Sequence, residues 1–138
     1  MLASMKQKIS YQIKKCLQKA SDDPDVLAVI LFGSRANKKP SIRPSSDIDL
    51  CLVLRPSVYS AIALSKKKIS YLELGGDLDI QIFQKLPLPL KHRVIREGKI
   101  LLCKNEDVLY REAYQVMREF SRFSRIYQNY LDTVLHGR

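Results

Sequence analysis

Between Lys6 and Ala20 the apolar residues Ile9, Ile13, Cys16, Leu17 and Ala20 recur at helical spacing, with lysines on the remaining faces. They predict a first helix, ended by Ser21-Asp22-Asp23-Pro24. The apolar run Val26 to Phe32 is too short and too uniform for a surface helix, so Leu27 to Phe32 reads as a strand covered on both faces. Gly33-Ser34 terminates it, and Arg35 to Ser46, interrupted by Pro40 and Pro44, reads as a loop. Alternation then sets in from Asp47 to Leu54: Asp47 and Asp49 share one face of a strand, and Ile48, Leu50, Leu52 and Leu54 line the other. Pro56-Ser57 resembles a helix start, with a helix over Val58 to Leu74 that Gly75-Gly76 stops. Asp77 to Phe83 returns to strand alternation, Leu78, Ile80 and Ile82 opposite Asp79, Gln81 and Phe83. A short helix, Leu90 to Glu97, is closed by Gly98, and Ile100 to Cys103 forms a short last strand.

Asn105 is a helix N-cap with Glu106 and Asp107 in the first turn, and neither glycine nor proline interrupts the chain before Gly137. One long helix follows. At about 100° per residue, Ala113, Val116, Phe120, Phe123, Tyr127, Leu131 and Val134 all fall near Leu109, giving a continuous apolar stripe. Arg111, Arg118, Arg122 and Arg125 gather on the opposite side as a basic stripe, a solvated outer face or a docking surface for an acidic partner. Strands interleaved with helices make an α/β fold of the α+β type. The chain reads as a single domain over 1–138, with a core at 25–104 and a terminal helix at 105–136.

At 138 residues, the chain is long enough to bury roughly two thirds of its unfolded surface without disulfides. Cys16, Cys51 and Cys103 are an odd, widely spaced set without a CxxC pair, which argues for buried apolar roles in a reducing compartment and against a structural zinc site. No segment approaches the roughly 20 apolar residues that span a bilayer, so a cytoplasmic protein without a membrane partner is expected. Twenty-four Lys and Arg against fourteen Asp and Glu give a net charge of +10, which points to anionic partners: a nucleoside triphosphate, a nucleic acid or an acidic protein.

Against that basic background the acids of the two alternating strands stand out. Two carboxylates a pleat apart repel one another and want a cation, and magnesium takes oxygen ligands from carboxylates and substrate phosphates. Asp79 adds a third carboxylate on another strand; Asp77, of the same parity but beside the Gly75-Gly76 turn, is its competitor. Asp47, Asp49 and Asp79 with two metal ions would make a reaction site in which Asp79 ligates only the metal next to the nucleophile and thereby favours the alkoxide, or accepts the proton itself. Gly33 lets the backbone approach a ligand, Ser34 offers a hydroxyl to a phosphate oxygen, and Arg35 adjoins the turn. Lys38, Lys39 and Arg43 are further candidates for the outer phosphates. His92 and His136 fit no hydrolytic site, and neither a Gly-x-Ser-x-Gly elbow nor a Walker-type Gly-Lys-Ser/Thr sequence occurs.

The strings Phe32-Gly33-Ser34-Arg35-Ala36, Ser46-Asp47-Ile48-Asp49-Leu50 and Leu78-Asp79-Ile80 resemble the minimal nucleotidyltransferases (MNT) of the DNA polymerase beta superfamily. Val94-Ile95-Arg96-Glu97-Gly98-Lys99-Ile100-Leu101-Leu102 and the long helix after it look like the MNT antitoxins paired with HEPN ribonuclease toxins. The resemblance covers roughly residues 25 to 135. Asn37-Lys38-Lys39-Pro40 stands where Arg-Gly often follows Ser-Arg-Ala in the family, in a slightly longer loop. The resemblance implies a small mixed sheet of the polymerase beta palm type flanked by helices. It further implies magnesium-dependent transfer of AMP from ATP to a tyrosine hydroxyl of a HEPN-type toxin, with Asp47, Asp49 and Asp79 as metal ligands and Gly33, Ser34 and Arg35 at the nucleotide. Two other functions stay open: an antitoxin acting by binding alone, and a transferase acting on a small molecule or a nucleic acid, as relatives with a further substrate domain do.

Overall fold

The computed structural model describes residues 2–33, 48–74 and 78–136. The expected loop from Arg35 to Ser46, with its Asn37-Lys38-Lys39-Pro40 departure, and the Gly75-Gly76 turn lie outside the described residues. The elements run α1 (Leu2–Asp22), β1 (Val26–Phe32), β2 (Ile48–Leu54), α2 (Ala61–Leu72), β3 (Leu78–Ile82), a 3-10 turn (Phe83–Lys85), α3 (Leu88–Glu97), β4 (Lys99–Cys103) and α4 (Glu106–Leu135). The four strands form one mixed sheet in the order β3-β2-β1-β4. β1 is antiparallel to both of its neighbours, while β2 and β3 are parallel, with α2 in the crossover that a parallel pair requires.

Both faces of the sheet are buried, as the uniform apolar run of β1 predicts. On one face Val26, Val29, Leu50, Leu52, Leu54, Leu78, Ile80 and Ile82 pack with Cys16 and Ala20 of α1 and Tyr71 of α2. On the other, Leu27, Ala28, Ile30, Cys51 and Val53 pack with Phe83, Val94 of α3, and Leu109 and Val116 of α4. Strict alternation would put Leu27 and Ala28 on opposite faces. A shift of register between Val26 and Ala28 leaves Leu27 without a partner on β2, so both residues face α3 and α4 and the parity of the rest of β1 is reset. That bulge brings Ile30 and Phe32 onto the α3 and α4 side, opposite Cys51 and Asp49.

Three of the boundaries that differ from the sequence expectation do so for a local reason. α2 begins at Ala61, where the Ser60 hydroxyl accepts the Ala63 N–H at 3.1 Å, and not at Pro56-Ser57. Val58, counted in that helix from its pattern, is 98% exposed. α3 begins at Leu88 because Pro89 fits the first helical turn, where its missing N–H costs nothing. Phe83 leaves the strand for the 3-10 turn but remains buried. Gly98 does close α3, and close approach explains it: a Cβ there would stand 2.4 Å from Ile30 Cγ2 and 2.3 Å from the Val94 carbonyl.

α4 is half covered. The stripe predicted from Leu109 to Val134 is buried at Leu109 and Val116, and Phe120 stacks on His92 of α3 with ring centroids 3.8 Å apart. Beyond it Phe123, Ile126, Tyr127, Tyr130, Val134 and Leu135 are exposed. Cys16, Cys51 and Cys103 are free thiols. Burial raises the Cys16 pKa to about 11 despite Lys19, and raises that of Cys51 further, so the small apolar role expected of these two fits. No described helix is long and apolar enough to cross a membrane.

The turn after α1 does more than end a helix. Asp23 accepts both Lys67 Nζ, at 3.0 and 3.1 Å, and the Tyr71 hydroxyl, at 2.9 Å, and Lys67 also reaches Asp25 at 2.9 Å. Lys104 donates to the Asp23 carbonyl, tying β4's end to the same point. Burial pushes the Asp23 carboxyl pKa up, but the hydrogen bonds from Lys67, the Asp25 N–H and Tyr71, with the lysine's charge, outweigh it and hold the pKa below the ordinary value. A depressed carboxyl stabilises the fold above the unfolded-state pKa near 4, and that stability is lost as pH falls through the lower folded-state value. Lys67→Met is therefore predicted to cost about 1–3 kcal/mol at pH 7 in urea unfolding, with the gap to wild type shrinking below about pH 4. An equal gap at pH 7 and pH 3 would refute the ionic part of the account.

Candidate active site

The candidate carboxylates sit at one end of the sheet. In the parallel ladder Asp49 of β2 lies directly beside Asp79 of β3, and one pleat further on Cys51 lies beside Gln81. Paired positions share a face, so Asp49, Cys51, Asp79 and Gln81 all lie on the α3 and α4 side. Inside the fold that side is apolar, through Cys51 and Val53; at the strand ends it carries acids, and both Asp49 and Asp79 are half-buried. The apolar positions of the two strands hold them there, because a slip of one residue would turn Leu50, Leu52, Ile80 and Ile82 out of the core.

β1 delivers the turn to the same end. Phe32 is the Cα partner of Asp49, and Gly33 follows it with φ 92°, a conformation that glycine adopts without strain. A Cβ at Gly33 would stand 2.2 Å from Asp49 Oδ2. The glycine is therefore required twice, for its backbone and for the space over a carboxylate oxygen. Asp79 Oδ1 accepts a hydrogen bond from Gln81 Nε2 at 3.2 Å.

Of the six residues singled out from the sequence, the structure brings together Gly33, Asp49 and Asp79; Ser34, Arg35 and Asp47 lie outside the described residues, as does Asp77, the competitor of Asp79. Among the described residues no group of three or more His, Cys, Asp or Glu side chains that could hold a metal ion occurs. Two hard carboxylates in register, one of them packed against a glycine where a side chain would collide with its oxygen, have the chemistry to take a divalent cation with oxygen ligands. Gln81, read from the sequence only as the polar partner in an alternating strand, was missed. Its signal was its place two residues after Asp79, on the same face.

A mixed sheet with acids of neighbouring strands at one end, beside a glycine turn, fits a phosphate-ester transferase. Residues 12–107 match the family described as Polymerase beta, Nucleotidyltransferase, and the chain belongs to that family of nucleotidyltransferases. It is 31% identical over 108 residues, 75% of this chain and 71% of the other, to a Methanocaldococcus jannaschii protein provisionally named protein adenylyltransferase MJ1547. Among solved structures, a chain of a toxin-antitoxin with AMP-PNP is similar at 21% identity and a TM-score of 0.65, covering 91% of this chain and 97% of that one. A chain of the structure of the tri-AMPylated Shewanella oneidensis HEPN toxin in complex with MNT antitoxin is similar at 19% identity and a TM-score of 0.58, covering 98% and 99%.

Gly33→Ala is predicted to displace the Asp49 carboxylate and to strain the turn, since left-handed backbone costs an L-residue about 1–2 kcal/mol. Thermal unfolding should shift down by several degrees, and binding of a nucleoside triphosphate with Mg2+, followed by calorimetry, should weaken by more than that loss explains. Unchanged binding would show that the space over Asp49 serves no ligand.

Proposed function

We propose that this chain is an antitoxin that transfers AMP from ATP, in a magnesium-dependent reaction, to a tyrosine hydroxyl of a HEPN-type toxin and thereby silences it. The observation that carries the reading is the pair Asp49 and Asp79, side by side in register beneath the Gly33 turn. The adenylyltransferase name of the M. jannaschii relative and the toxin-antitoxin complexes among the structural neighbours support the choice of ATP and of a protein acceptor.

In this reading Asp47, Asp49 and Asp79 hold the metal, and two ions fit the charge of a triphosphate and three carboxylates. Bound magnesium neutralises the phosphate oxygens and favours the ionised acceptor. The chain's own groups do the rest. Gly33 admits the triphosphate close to the backbone, and Ser34 and Arg35 donate to its oxygens. The tyrosine oxygen forms a bond to the α-phosphorus while the bond from that phosphorus to the bridging oxygen breaks. Pyrophosphate leaves with the electron pair, and the phenolic proton passes to Asp79.

We take residues 25–104 as the catalytic core of a single domain and 105–136 as its docking element. Exposed Phe123, Ile126, Tyr127 and Tyr130 on α4 support a protein partner, since a run of uncovered aromatic and aliphatic groups gains from burial against another chain. Free thiols and an ATP substrate fit a cytoplasmic setting. The same α4 surface favours one other function, an antitoxin that blocks its partner by binding alone.

Incubation of the chain with radiolabelled ATP, Mg2+ and the soluble HEPN-type partner is expected to label the partner. EDTA should abolish the labelling, and so should replacing Asp47 and Asp49 together by Asn, with an unchanged circular-dichroism spectrum showing that the fold is retained. No label on a soluble, complexed partner with wild-type chain would remove the transfer claim. A double variant that no longer labels yet still neutralises toxicity would favour blocking by binding.

A further inference from the structure

Gln81 is the residue of the site that neither the sequence motifs nor the reaction above assigns. It stands two residues after Asp79 on the same face of β3, and its side chain is held from both ends. Nε2 donates to Asp79 Oδ1 at 3.2 Å, and Oε1 accepts from Lys68 Nζ of α2 at 3.4 Å. A carboxamide has one donor end and one acceptor end, so a carboxylate on one side and an ammonium on the other select a single orientation of the group. The arrangement depends on position in the sheet. β3 is an edge strand packed against α2, which lets a lysine of that helix reach a residue on the far face of the strand.

The chemistry of the alternatives shows what the amide achieves. An ammonium placed directly on Asp79 would form a charge-assisted pair and compete with any divalent cation for the same oxygens. An apolar residue at 81 would leave the Asp79 carboxylate free to rotate about its last torsion. A neutral donor does neither: it fixes one oxygen and leaves the carboxylate its full negative charge.

We propose that Gln81, itself oriented by Lys68, is a positioning residue that fixes the Asp79 carboxylate for cation binding while keeping the lysine's charge one side chain away. The inference rests on the reading of Asp79 as the third metal carboxylate. Metal ligands are commonly oriented by hydrogen bonds of this kind, and their loss weakens metal affinity by roughly 10–100-fold.

The test uses the full chain and Mn2+ as the probe. Binding of Mn2+ in the presence of AMP-PNP is measured by calorimetry, without acceptor, and kcat and KM for ATP are measured with the HEPN-type partner. Gln81→Met keeps the length of the stem and removes both polar ends. It is expected to weaken Mn2+ binding roughly 10-fold and to lower kcat, with KM for ATP within about twofold and the unfolding temperature within a few degrees. Gln81→Lys should weaken Mn2+ further than the Met variant. Lys68→Met, on the partner helix, should lower Mn2+ affinity a few-fold, and Lys68→Arg should restore most of it; this pair carries the test if position 81 does not tolerate change.

Wild-type Mn2+ affinity and kcat in Gln81→Met would overturn the proposal, as would Gln81→Lys binding Mn2+ as tightly as wild type. Asp79→Asn separates the two levels. If it abolishes Mn2+ binding and transfer while Gln81→Met is silent, only the positioning role falls. If Asp79→Asn keeps both, the assignment of Asp79 falls and the positioning role with it.

Discussion

Parallel pairing of β2 with β3 sets the Asp49 carboxylate beside that of Asp79, an arrangement that electrostatics alone would disperse. Hydrophobic burial keeps it. Leu50, Leu52 and Leu54 on one strand and Leu78, Ile80 and Ile82 on the other lock into a core with α1 and α2, and the register of those six residues is also the register of the acids. Slipping either strand by one residue would turn its apolar set out of the α1 and α2 core and its acids into it, at up to about 1.5–3 kcal/mol for each large side chain left uncovered. The repulsion between two half-buried acids is small beside that sum. The candidate site is thus held by residues of the core.

The bulge in β1 is the second constraint. Leu27 has no partner on β2, and the extra residue turns Ile30 and Phe32 onto the α3 and α4 side. Since Phe32 pairs with Asp49, Gly33 emerges against the Asp49 carboxylate. With unbroken alternation Phe32 would point to the α1 and α2 side, and the turn would enter the site with the opposite parity. A strand read as a featureless apolar run therefore carries, at Leu27-Ala28, a device that aims the turn after it.

Much of this was legible in the sequence, and what was not has physical causes. Strand parity follows from a period of two, so the shared face of Asp79 and Gln81 and the opposition of Leu78, Ile80 and Ile82 could be read directly. Parity says nothing of which strands pair, so the Asp49–Asp79 register had to come from the structure. Caps are chosen by the path of the chain: Ser57 and Ser60 are the same residue type, but only Ser60 has the Ala63 N–H within reach. The end of the packed part of α4 was equally invisible. Its apolar stripe continues unbroken past Phe120, and only the position of α3, which supplies His92, shows where cover ceases.

The hardest residues to read were the charged ones. Lys66-Lys67-Lys68 in α2 looks like a solvated run on a basic chain, yet two of its members are committed to different parts of the fold. Lys67 bridges Asp23 and Asp25 at the start of β1, and Lys68 reaches Gln81 of β3. Consecutive helical residues diverge by about 100°, which lets adjacent lysines serve opposite flanks of one helix. The Asp23 contact is partly buried and fixes where α2 lies, and α2 in turn carries Lys68 to the edge of the sheet. The cluster at the end of α1 and the Asp79 carboxylate of the candidate site are consequently joined through one element, so an ion pair at the start of β1 helps determine where the Gln81 amide sits.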